Sequence, residues 1–137
     1  MASEPEDIFY LDLEDVLLIY AELFDCSVDK ARFQLSRPEL LESALAKPLH
    51  YALYQEADLA LQAAALAHGV AENQAFLDGN KRMAHLTMLL FLDENGYELE
   101  VSDHHETALA AWIIDLSDGL TPDGLAARLR PLLRAKP

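Results

Sequence analysis

Residues 73–85 read NQAFLDGNKRMAH. Asp78-Gly79-Asn80 has the composition of a turn, and Lys81 and Arg82 open the apolar run behind it. A helix N-terminus carries unpaired N–H groups and a partial positive charge of about half a unit. Two cations in that first turn repel it, where Asp or Glu would be favourable. The conflict disappears if the turn holds an anion. Backbone N–H groups of Gly79-Asn80, the dipole and both cations then converge on a phosphate. Gly79 allows a close backbone approach. Asp78 is a hard oxygen donor beside this cradle, which suits Mg²⁺ with one or two carboxylates plus phosphate oxygens. The plainer alternative has Asp78 capping the helix and pairing with Lys81 or Arg82 at the surface. Cation scarcity favours the anion: between Pro48 and Ala127, Lys81 and Arg82 are the only Lys or Arg residues. Phe76 reads as the core anchor of the loop.

These residues need elements to position them. Asp12 can cap a first helix from Leu13 to about Phe24, with Val16, Leu17, Tyr20 and Leu23 on one face. Ser36-Arg37-Pro38-Glu39 reads as a capping box with Pro in the first turn. The helix it starts is expected to end before Pro48. A third helix runs from Glu56 to about Gly69 or beyond, with Leu59, Ala63, Leu66 and Val70 at helical spacing. The fourth, Lys81 to about Glu94, is apolar on nearly all sides and belongs in the middle of the domain. Asn95-Gly96 ends it. Tyr97, Leu99 and Val101 alternate with Glu98 and Glu100, a short strand that could pair with Ile8 to Leu11. A fifth helix around Glu106 to Leu116 and a sixth from Thr121-Pro122 to about Leu133 complete the chain. The expected fold is all-α, one domain over 1–137, a bundle of about six helices around a buried central helix.

Composition agrees with one globular domain: 137 residues, 52% hydrophobic and 25% charged. A net charge of −14 argues against direct nucleic-acid or anionic-membrane binding. The nearly apolar run from Met83 to Leu92 is too short for a membrane span, which needs about 20 residues. An acidic N-terminus without a signal-peptide pattern makes the expected location cytoplasmic. One cysteine, Cys26, excludes an internal disulfide framework and a Cys-clustered zinc site. Arg128, Arg130, Arg134 and Lys136 read as a solvated helix end whose cations complement the dipole.

Gln74-Ala75-Phe76-Leu77-Asp78-Gly79-Asn80-Lys81-Arg82 resembles the Fic/Doc signature, specifically HxFxDGNKR of the Doc (death-on-curing) branch. Tyr10-Leu11, Leu40 to Leu45, Ala64 to Ala71, and Phe91-Leu92 with Asn95-Gly96-Tyr97 look like Doc toxins in the same order. The resemblance implies a toxin of a toxin–antitoxin module. It would be a nucleotide-dependent protein phosphotransferase that acts on a threonine of elongation factor Tu and stops translation. It further implies ATP or another nucleoside triphosphate with Mg²⁺ on Asp78. Gly79, Asn80, Lys81 and Arg82 would hold the phosphates, and a Phd-type antitoxin would be the partner. Fic relatives transfer AMP instead, with Gly where this chain has Lys81 and Arg where it has His85, which favours phosphate transfer.

Gln74 stands where the signature has its general-base histidine. An amide donates and accepts hydrogen bonds but is no base near neutral pH, and general-base catalysis is typically worth about 10²–10⁴ in rate. Three accounts are open: an inactive engineered form, a natural pseudoenzyme that binds without turnover, or another base, with His68 and His85 as candidates. His104-His105-Glu106 reads as a helix start rather than a metal site, because adjacent residues do not share a helix face. Cys26 reads as a packed thiol and Trp112 as core.

Overall fold

The computed structural model describes residues 7–100 and 103–137, with backbone alone for 103–106. Val101, at the end of the expected alternation, and the His104, His105 and Glu106 side chains lie outside the described residues. So do the first six positions of the acidic N-terminus. The elements are α1 (Leu13–Leu23), α2 (Val28–Gln34), α3 (Pro38–Gln55), α4 (Leu59–Asn73), α5 (Asn80–Glu94), β1 (Tyr97–Leu99), α6 (Asp103–Ser117), α7 (Pro122–Leu129) and β2 (Leu133–Ala135). The fold is all-α with one short two-stranded sheet, as expected, and has seven helices among the described residues.

The centre of the bundle is α4 rather than α5. Twelve residues of α4 are buried, from Leu59 to Ala71, and it packs against α3, α5, α6 and α7. Alanines at 60, 63, 64, 65, 67 and 71 keep its surface narrow, so four helices can approach it. Gly69 goes furthest: an added Cβ would stand 3.0 Å from that of Ala44 on α3. α5 is less completely buried around its circumference than its composition suggests. Met83, Ala84, Thr87, Met88, Phe91 and Leu92 are buried, while His85, Leu86, Leu89 and Leu90 are half-buried on a face turned toward α1.

Several expectations are corrected. α3 continues through Pro48 to Gln55. An interior Pro loses one helix bond and costs about 3 kcal/mol, but Pro48 is buried and the packing of α3 on α4 offsets that. Ser36 does not cap α3: Arg37 is the N-cap, without a side-chain bond. The Ser36 hydroxyl instead donates to Ala75 O at 3.3 Å, a long-range partner that outcompetes the local cap. α2, capped by the Ser27 hydroxyl accepting from Lys30 N, was not anticipated, because seven residues give too little periodicity.

β1 pairs antiparallel with β2, in the register Tyr97↔Ala135, Glu98↔Arg134 and Leu99↔Leu133, and not with residues 8–11. Phe9 instead bonds the Asn95 side chain, donating its N–H to Oδ1 at 2.8 Å and accepting from Nδ2 at 3.0 Å. The last helix stops at Leu129 because Pro131 cannot continue it, and the chain passes through a 3₁₀ turn into β2. The C-terminal cations are therefore no solvated helix end. Arg128 pairs with Asp115, Arg130 with Asp58, Arg134 with Glu100 and Lys136 with Asp93.

Candidate functional site

The loop from Gln74 to Gly79 joins the two most buried helices, and its backbone is tied down at both edges. Arg37 N donates to Ala75 O at 3.0 Å and Leu77 N to Gln34 O at 2.9 Å, around an isolated bridge between Leu35 and Phe76. The α2–α3 connection thus lies along the loop as a short antiparallel edge. Asn80 closes the other side: its Oδ1 accepts from Phe76 N at 3.0 Å and its Nδ2 donates to Phe76 O at 2.9 Å. The Asn80 amide is therefore committed to holding the loop, which leaves its backbone N–H for any ligand.

Phe76 is buried, as expected of an anchor. It stacks on Tyr20 with ring centroids 4.6 Å apart, and Tyr20 lies 4.4 Å from Phe24. The Tyr20 hydroxyl reaches 3.5 Å from Asp78 O, and burial first, then the Asp78 charge, push its phenol above the usual tyrosine range.

Gly79 is the N-cap of α5 at φ 83°, without a side-chain cap. Asp78 does not cap the helix: its Oδ1 accepts from Gly79 N at 2.8 Å. Nor is the space above Gly79 open for a ligand. A Cβ there would overlap the Phe24 ring at Cζ and stand 2.9 Å from Cε2. The glycine is demanded by positive φ and by an aromatic ring.

Beyond Gly79, the N–H groups of Asn80, Lys81 and Arg82 have no acceptor among the described residues, since Met83 N makes the first helical bond, to Gly79 O. Lys81 and Arg82 are exposed and have no carboxylate partner among the described residues, unlike the four C-terminal cations. Three free donors and two free cations in one helical turn fit a polyanion such as a nucleotide phosphate chain. Among the described residues no three His, Cys, Asp or Glu side chains cluster as a metal cage. The exposed Asp78 carboxylate beside the cradle fits a metal that takes its other ligands from phosphate and water.

Gln74 ends α4 in the left-handed conformation, φ 50° and ψ 48°, and is exposed. Such a backbone costs a non-glycine residue about 1–2 kcal/mol, and Asp25 and Glu56 share it after α1 and α3. The two candidate replacement bases, on α4 and α5, are half-buried. His68 Nδ1 is buried with no partner among the described residues, and burial, then Lys47, lower its pKa against Glu72. His85 lines a cavity of about 900 Å³ between α1, α5, β1 and α6 with Ile19, Leu23 and Leu89, and burial lowers its pKa. Cys26 is free and half-buried beside the core. Trp112 is half-buried with the Arg128 guanidinium 5.8 Å from its ring centroid.

Sequence reasoning missed Phe24 as part of the site, and the 34–37 edge with it. The Tyr20/Phe24 pair at i, i+4, spanning the last turn of α1 and its cap, was the available signal. The model of the Fic/DOC family matches residues 10–92, from before α1 through most of α5 and so across the whole loop. No curated protein matches the chain.

Proposed function

The chain belongs to the Fic/DOC family, and from that premise we propose that it is a Doc-type toxin transferring phosphate to a protein hydroxyl. Family members are typically nucleotide-dependent transferases that modify proteins, using nucleoside triphosphates with a metal. One observation carries the reading: in a chain of net charge −14, the first turn of α5 offers N–H donors without acceptors and two cations without carboxylate partners among the described residues.

In this proposal the N–H groups of Asn80, Lys81 and Arg82 and both cationic side chains hold the phosphates of ATP or another nucleoside triphosphate. Gly79 shapes the turn that aims them. Asp78 holds Mg²⁺, which when bound offsets charge on the phosphate oxygens. The chain's own contribution is positioning and charge stabilisation, the larger part of phosphoryl-transfer catalysis. The accepting hydroxyl is a threonine of elongation factor Tu, and its proton needs an acceptor at the mouth of the loop. Gln74 is exposed there and cannot take the proton, so turnover is weak.

Histidine tolerates the left-handed conformation better than glutamine does, so Gln74→His should fold unchanged and raise the rate by about 10²–10⁴. Mass spectrometry of elongation factor Tu after incubation with Gln74→His and ATP distinguishes phosphate from AMP by added mass. AMP on the target would replace this reading with the Fic-type activity. Absence of any modification would leave the binding-module reading below.

The cavity between α1 and α5 favours a second role. Its walls are Ile19, Leu23, Leu86, Leu89, Leu90 and Leu109, with Glu22, Asp93 and Glu98 at the rim. An amphipathic helix with basic flanks fits such a groove, and a Phd-type antitoxin is the partner proposed. Should the chain serve only that role, cells expressing Gln74→His would grow normally without antitoxin.

A further inference from the structure

Phe24 belongs to no motif, yet its ring packs on Tyr20, which stacks on the loop anchor, and lies against Gly79 and Arg82. Its backbone is fixed by the way α1 ends. Asp25 takes the left-handed conformation at φ 50°, Asp25 N donates to Glu22 O at 3.4 Å, and Cys26 N donates back to Ala21 O at 2.9 Å. This is a Schellman turn with Asp in the usual glycine place. From that fixed point the ring reaches Tyr20 on one side, and its edge fills the space above Gly79. The Arg82 guanidinium carbon lies 5.9 Å from its centroid. Phe76, Tyr20 and Phe24 therefore form an aromatic column from the buried loop anchor to the charged end of Arg82.

Arg82 is exposed and has no ion-pair partner among the described residues, and the Phe24 ring lies beside its guanidinium. A free arginine loses rotamer freedom when it grips an anion, and one already held on a ring loses less. We propose that Phe24 is a positioning residue that presents the Arg82 guanidinium to the anion bound at the first turn of α5. This rests on the phosphate-cradle reading above. The ring acts through cation–π attraction and leaves the guanidinium edge free to donate.

The test is a double-mutant cycle on the full chain, reading the affinity for ATP with Mg²⁺ by calorimetry. Phe24→Leu should weaken binding about two- to fivefold, the range a surface cation–π contact supports. The same substitution in an Arg82→Ala background should change nothing further. Phe24→Met, of similar bulk without a π face, should behave like Leu and controls for packing. An equal loss from Phe24→Leu in both backgrounds would show that the ring acts on loop shape, overturning the proposal and sparing the cradle. A gain in affinity would show that the ring obstructs the anion, and would also overturn it. Unchanged affinity in Arg82→Ala, or no ATP binding by the unaltered chain, would instead bring down the cradle reading, and the proposal with it.

Discussion

Gly79 is required twice over, and both reasons are measurable at one residue. Its φ of 83° suits glycine, and the Phe24 ring occupies the place of a side chain. Gly79→Ala combines roughly 1–2 kcal/mol of left-handed backbone cost with about 1–3 of overpacking. The expected loss of stability is about 2–5 kcal/mol, read by chemical denaturation. A loss below about 1 kcal/mol would mean that the ring moves aside freely. Asn80 teaches a related lesson. Its side chain holds Phe76 at both backbone groups, so its value to the site is geometric. A polar residue in a binding-like motif can serve the loop rather than the ligand, and no spacing rule tells the two apart.

At the scale of elements, the C-terminal segment closes the structure through ion pairs that span the chain. Arg130 grips Asp58 through two hydrogen bonds, 2.8 Å from Nε and 3.1 Å from Nη2, while Asp58 also caps α4 through Leu61 N. The Arg130 bond, then the Leu61 N–H, hold the Asp58 carboxyl below the usual range against the opposing effect of burial. A depressed carboxylate contributes stability above its unfolded pKa, near 4, and loses it as pH falls through the lower folded value. Arg130→Gln should therefore flatten the fall in stability below about pH 4, with urea titrations at several pH values as the check. A profile parallel to that of the unaltered chain would show that the pair is too exposed to matter. β2 extends the same closure. It covers one edge of β1, where a sequence reading expected the N-terminal residues.

For the whole molecule, charge is the dominant global property. At −14 the surface repels itself, and the C-terminal pairs offset this only locally. Raising ionic strength from about 0.01 to 0.15 M shortens the screening length from about 30 to 8 Å. The thermal midpoint should rise over that range, and a falling midpoint would mean that the ion pairs outweigh the repulsion. Among the described residues no helix is long and apolar enough to cross a membrane. The sequence by itself determined the helical class, the capped starts at Asp12 and Thr121, the Asn95-Gly96 stop, and the loop with its unusual cations. All of these are local: propensity, caps and charge against a helix dipole act within a few residues. Tertiary structure alone decided which helix is central, how α3 survives Pro48, what pairs with β1, and why Gly79 must be glycine. Each of those turns on contacts between residues tens of positions apart, such as Phe24 against Gly79 or Ser36 against Ala75, and a local pattern carries no record of them.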